Sequence, residues 1–114
     1  MKSMKWKCQV CGFIHDGDQA PTAPCPKCKA TADQFTLLDD RAAELVERSR
    51  QTNALHCRLI SLARDIERVC QEGIADNLDP GCVNVFQQSM THSWEMMKLS
   101  MTEIQGHVSK GKWG

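Results

Sequence analysis

Along residues 39–114 apolar side chains return at alternating steps of three and four, the period that builds one face of an α-helix. The first such stripe runs through Ala42, Leu45, Ser49, Thr52, His56, Leu59, Ala63, Ile66 and Cys70. It has the form of a coiled-coil seam, polar in its first half and broadened in its second by Leu55, Leu62 and Val69. Asp39 and Asp40 stand just before it, where a carboxylate accepts free backbone N–H groups and faces the positive end of the helix dipole. Gly73 is the expected stop, so the pattern predicts a helix over about residues 40–72, near 50 Å long at about 1.5 Å per residue. Asp79-Pro80 has the form of a cap followed by proline in the first turn. A second helix over about residues 80–109 then carries Val83, Phe86, Met90, Trp94, Met97, Met101, Ile104 and Val108 on one stripe. The short connection makes the pair an antiparallel hairpin. Two helices cannot bury two wide stripes on each other alone, so a homodimer through residues 39–114, closing a four-helix bundle, is expected.

Residues 1–38 show no helical period. Lys5-Trp6-Lys7-Cys8 alternates polar and apolar positions and reads as a short strand. Phe13-Ile14-His15 is its expected return strand, with Asp16-Gly17-Asp18 as a turn and Pro21 and Pro24 stiffening the loop beyond. The change of pattern divides the chain into a module of residues 1–38 and a hairpin of residues 39–114. The first part is too short to be held by an apolar core alone, so a further staple is expected there.

Four of the seven cysteines supply it. Cys8 and Cys11 are two residues apart, as are Cys25 and Cys28, and such a pair turns both sulfurs toward one point. Two pairs complete a tetrahedral metal site, and this double spacing is far more specific than either pair alone. Two disulfides are the competing use of the same residues. Gly12 follows the second ligand, where the chain leaves the turn in a conformation that favours glycine. Pro26 is tolerated because later amides of its turn point at sulfur. Trp6, Phe13 and Phe35 are the candidate apolar cover. Four thiolates in a tetrahedron suit iron and zinc alike.

The residues Trp6-x-Cys8-x-x-Cys11-Gly12-Phe13-x-His15-x-Gly17, then Ala23-Pro24-Cys25-Pro26-x-Cys28 and the closing Phe35-x-Leu37-Leu38 carry a resemblance. Residues 5–38 resemble a rubredoxin-type domain of the short kind found at the C-terminus of rubrerythrins. Full-length rubredoxins are less similar, because their two cysteine pairs lie further apart. The resemblance implies a small metal-bound β module in which Cys8, Cys11, Cys25 and Cys28 hold one iron. It implies single-electron exchange with soluble redox proteins as the function. Lys29 stands where many members of that family carry glycine, and the five lysines against three aspartates of residues 1–38 depart from the acidic surface of free rubredoxins. With zinc in the site the module becomes a structural ribbon, and the function passes to protein binding or assembly by the hairpin.

Charge and the remaining residues narrow the classes further. Lys+Arg and Asp+Glu both number 14, and the arginines of the first helix are interspersed with glutamates and aspartates, so no nucleic-acid surface is expected. No apolar run reaches the roughly 20 residues that span a bilayer, and Met1–Trp6 lacks the apolar stretch of a leader, so a cytoplasmic location is expected. The inward glutamates and Glu-x-x-His motifs of a di-iron bundle are missing. With no nucleophile, base or pocket in view, no enzyme is expected. His56 on the seam and His92 beside Met96 are the candidates for an additional haem or metal in the helices. Met90, Met97 and Met101 read as core filler, and Cys57, Cys70 and Cys82 as structural thiols.

Overall fold

The computed structural model describes residues 4–114, so the amino-terminal residues read above for a leader lie partly outside the described residues. Contacts divide the chain into two units: residues up to Arg50 together with Lys110–Gly114, and Gln51–Ser109. The expected boundary at residue 38 therefore differs from the contact boundary. The first unit also takes in the opening turns of a helix and the last five residues.

The first unit is built on a three-stranded antiparallel sheet in the order β2-β1-β3, with β1 at Lys5–Cys8, β2 at Ile14–Asp16 and β3 at Phe35–Leu37. Trp6 of β1 faces His15 on one side and Leu37 on the other. The third strand has no signature of its own in the sequence; three residues entering from a single 3₁₀ turn at Ala32–Gln34 become a strand only by pairing with β1. Cys8, Cys25 and Phe35 form the core, with Trp6, Cys28 and Ala30 against it. Phe13 and His15 meet the Phe35 ring edge-on, at 6.5 and 6.3 Å between centroids.

Lys5 is the unexpected member. Its side chain is 1 % exposed, although the alternation of β1 places it as a polar position. Its Nζ donates to Asp16 Oδ1 at 2.9 Å and to Glu47 Oε2 at 2.7 Å, and Arg50 joins both carboxylates at 2.7 and 3.1 Å. Burial lowers the Lys5 pKa, but the hydrogen bonds it donates to Glu47 and Asp16 more than offset it, leaving it above the ordinary 10.5. Arg50 is the main reason the Asp16 carboxyl lies below its ordinary 3.8, and Lys5 the main reason Glu47 lies below 4.5. A depressed carboxyl stabilises the fold above its ordinary pKa, and that stabilisation is lost as pH falls through the depressed value. Lys5 is charged throughout that range. Stability of the first unit is thus expected to fall as the pH drops below about 4. Denaturant midpoints followed from pH 7 to 3 should show it, and Asp16→Asn should flatten the decline.

Residues 40–50 of α1 (Asp40–Asp76) belong to the same unit. Asp39 caps the helix, its Oδ1 accepting the Ala42 N–H at 2.7 Å.

The second unit is the hairpin formed by the rest of α1 and by α2 (Pro80–Ser109). The chain passes through Gly73 without stopping. The stop is Asn77, whose φ of 50° is the left-handed cap that ends a helix and whose N–H reaches Gly73 O at 3.2 Å. Gly73 serves packing instead: a Cβ there would collide with the ring of Phe86. Asp79 then caps α2 through the Cys82 N–H at 2.7 Å, with Pro80 in the first turn.

The seam between the helices differs from the expected one. Its buried residues are Asn53, Ala63 and Cys70 on α1, with Ser93, Met97 and Ser100 on α2. Leu59, Ile66, Trp94, Met101 and Val108 are exposed instead. Small side chains dominate this seam, and the hydroxyls of both serines find partners, one within α2 and one across the helices. Ser93 donates to Met90 O at 2.6 Å, and Ser100 meets His56 Nδ1 at 3.0 Å. No helix among the described residues is long and apolar enough to cross a membrane.

Candidate metal centre

Each cysteine pair closes a turn of the same design. Gly12 N–H returns to Cys8 O and Lys29 N–H to Cys25 O, both at 2.9 Å. Cys8 N–H bonds Phe13 O and Cys25 N–H bonds Ala30 O, again at 2.9 Å. The residue after the second cysteine is left-handed in both turns, Gly12 at φ 85° and Lys29 at φ 65°. Glycine takes that conformation freely, whereas an L side chain pays roughly 1 kcal/mol. Lys29→Gly is therefore expected to raise the stability of the first unit by about 1 kcal/mol, read as a shift in its unfolding midpoint.

The turns bring all four sulfurs together within 4.8 Å, and this is the sole group of three or more metal-type ligands among the described residues. Cys8 and Cys28 Sγ are 3.7 Å apart, and Cys11 and Cys25 Sγ 3.6 Å. An ion about 2.3 Å from four sulfurs at tetrahedral angles would set them about 3.8 Å apart, so the cage has the size a metal requires. The first cysteine of each pair is buried, while Cys11 is exposed and Cys28 half-buried.

Backbone amides prepare the sulfurs for charge. The Cys8 thiol is lowered chiefly by the Cys11 N–H, helped by Val10 and opposed by burial. Burial pushes Cys25 up, but the amides of Cys28 and Lys27 outweigh it and bring the thiol to about 7. At Cys11 the Phe13 N–H pulls down, yet burial and the neighbouring sulfurs push it up to about 12. The cage thus favours some thiolates and resists the last. A cation in the middle removes that resistance, which is the chemistry of a thiolate metal site rather than of four resting thiols. All seven cysteines are free, and no disulfide competes for these four.

Beside exposed Cys11 lies a concavity of about 580 Å³ lined by Phe13, Ile14, Lys27, Arg50, Trp113 and Gly114 among others. The Gly114 carbonyl accepts from Arg50 Nε at 2.7 Å and so ties the last residues to this unit. The involvement of the last five residues had no sequence signal, since a tryptophan next to glycines forms no pattern.

The helical candidates do not assemble as the sequence suggested. His56 meets His107, with ring centroids 5.9 Å apart, rather than His92. His92 is exposed beside Glu95, at 3.6 Å. His107 Nδ1 is held by Asn53 Oδ1 at 2.6 Å. Cys57 is exposed, Cys70 buried, and the Cys82 thiol is pushed up by the Asp79 carboxylate.

Residues 6–36 match the family described as "Rubrerythrin, rubredoxin-like domain". Reverse rubrerythrin-1 of Clostridium acetobutylicum is 30% identical over 81 residues, which cover 71% of this chain and 39% of that relative. The match therefore spans about two fifths of the length of that curated relative. No solved structure matches it.

Proposed function

We propose that this chain, whose residues 6–36 are a rubredoxin-like domain of the rubrerythrin kind, holds one iron ion on Cys8, Cys11, Cys25 and Cys28 and carries single electrons between soluble redox proteins in the cytoplasm. The observation that carries the reading is the cage of four sulfurs, all within 4.8 Å of one another, with peptide N–H groups directed at three of them. When bound, iron supplies a one-electron couple that four thiolates can hold in both states.

The chain's own residues account for the rest. The amides of Cys11, Val10, Cys28, Lys27 and Phe13 favour negative charge on the sulfurs and thus the reduced, more negative state. Cys8 and Cys25, with Phe35, keep water from the inner side. Cys11 reaches the surface and offers the short route for an electron. Lys7, Lys27 and Lys29 are exposed on this unit, which favours a partner with an acidic contact face.

Metal identity in protein purified from its native host tests the proposal. About one iron per chain, with a red ferric colour that bleaches on dithionite, is the expected result. Zinc in native material, colourless and silent to reductant, would overturn it and leave a structural ribbon.

A further inference from the structure

Ile60 and Ile74 of α1 are half-buried on the face that carries Ala63 and Cys70, but five other large aliphatic side chains of the helix lie outside it. Leu55, Leu59, Leu62, Ile66 and Val69 are 40–58 % exposed and follow one another at steps of four, three, four and three. This is a complete second seam, one face over from the buried one. On α2, Val85 and Leu99 lie two heptads apart and so share a face, and Val85 joins Leu62, Ile66 and Val69 around an apolar groove of about 590 Å³.

We propose that this stripe seats a second copy of the chain, the two α1 helices running antiparallel about a two-fold axis at Leu62, so that two hairpins close into a four-helix bundle. Three features select that occupant. First, the five exposed side chains run on into the apolar groove shared with Val85, and a two-fold contact covers that surface on both copies at once. Second, the spacing is close to self-complementary: reversed about Leu62, Leu55 of one copy meets Val69 of the other, and Leu59 falls within one residue of Ile66. A two-fold interface demands that property, whereas a different protein would not. Third, the charges flanking the stripe match only in this orientation. Arg58 and Asp65 each precede a seam residue, and antiparallel pairing sets Arg58 of each copy beside Asp65 of the other. Parallel pairing would set them beside Ala63 and Cys70, which carry no complementary charge.

Sedimentation equilibrium on the full metal-loaded chain tests the proposal, with a dimer expected at concentrations up to about 100 µM. A monomer throughout overturns it, leaving the stripe to some other protein. Leu62→Glu places two carboxylates on the axis and should give a monomer with unchanged helicity, because Leu62 is half exposed within one hairpin. A Leu62→Glu protein that remains dimeric overturns the proposed face. Arg58→Glu should weaken the dimer about tenfold, and adding Asp65→Arg should recover most of the loss. Failure of the pair to recover overturns the antiparallel register, and it reads out independently of whether Leu62→Glu folds well.

Discussion

Stripping the metal from the loaded protein is expected to unfold the three-stranded sheet while the helices of Gln51–Ser109 remain. The buried cluster beside the sheet is Cys8, Cys25 and Phe35, with Trp6, Cys28 and Ala30 around it, so three of its six members are cysteines that hold the ion. The aromatic contacts among Phe13, His15 and Phe35 are edge-on and few. Strands of three and four residues do not stand alone in water. Metal binding to such a module is folding free energy, on the order of 10 kcal/mol, and its loss exceeds what a small core can withstand. The sequence of events is checkable by amide exchange: Trp6, His15 and Thr36 should lose protection on chelation while Ala63 and Ser93 keep theirs. Cys25→Ser should reproduce the loss, and Cys57→Ser, altering an exposed thiol, should not. Retained protection in β1 of the metal-free chain would show that the sheet is held by something other than the ion.

Gly73→Ala should destabilise the hairpin by about 2 kcal/mol, the reverse of the usual gain of about 1 kcal/mol when alanine replaces glycine inside a helix. The reason is local. A methyl at residue 73 would overlap the Phe86 ring down to its Cγ, so the ring cannot escape by swinging only its far edge. Pairing the substitution with Phe86→Leu should reduce the penalty, and the difference between the single and double variants measures the contact. A Gly73→Ala protein that unfolds at higher denaturant than the parent would mean that α1 and α2 can shift apart at little cost.

These two cases also mark what could be read without a structure. Cysteine spacing fixes a metal cage because its geometry is local: four residues in two short turns contain nearly all the information. Asp39, Asp79 and Pro80 are legible for the same reason, each acting within one turn. Gly73 was read as a stop because glycine commonly ends helices, but its role depends on a ring thirteen positions away. The seam is legible only in part: Ala63, Cys70 and Met97 are buried where the stripes place them, but hydropathy ranks Leu59 and Ile66 above Ser93 and Ser100, and the burial runs the other way. The burial of Lys5 is not legible, because the alternation marks it only as a polar position and nothing nearby in sequence announces Glu47. The third strand was missed because pairing, not composition, makes it.

Lys5 has one more consequence. Its amine is enclosed while those of Lys7, Lys27 and Lys29 stand in solvent, so an acylating reagent added to the folded protein should modify those three first. Acylation of Lys5 must wait for β1 to part from Asp16 of β2 and from Glu47. The pace at which mass is added to that single peptide would then serve as a clock for the module's transient opening.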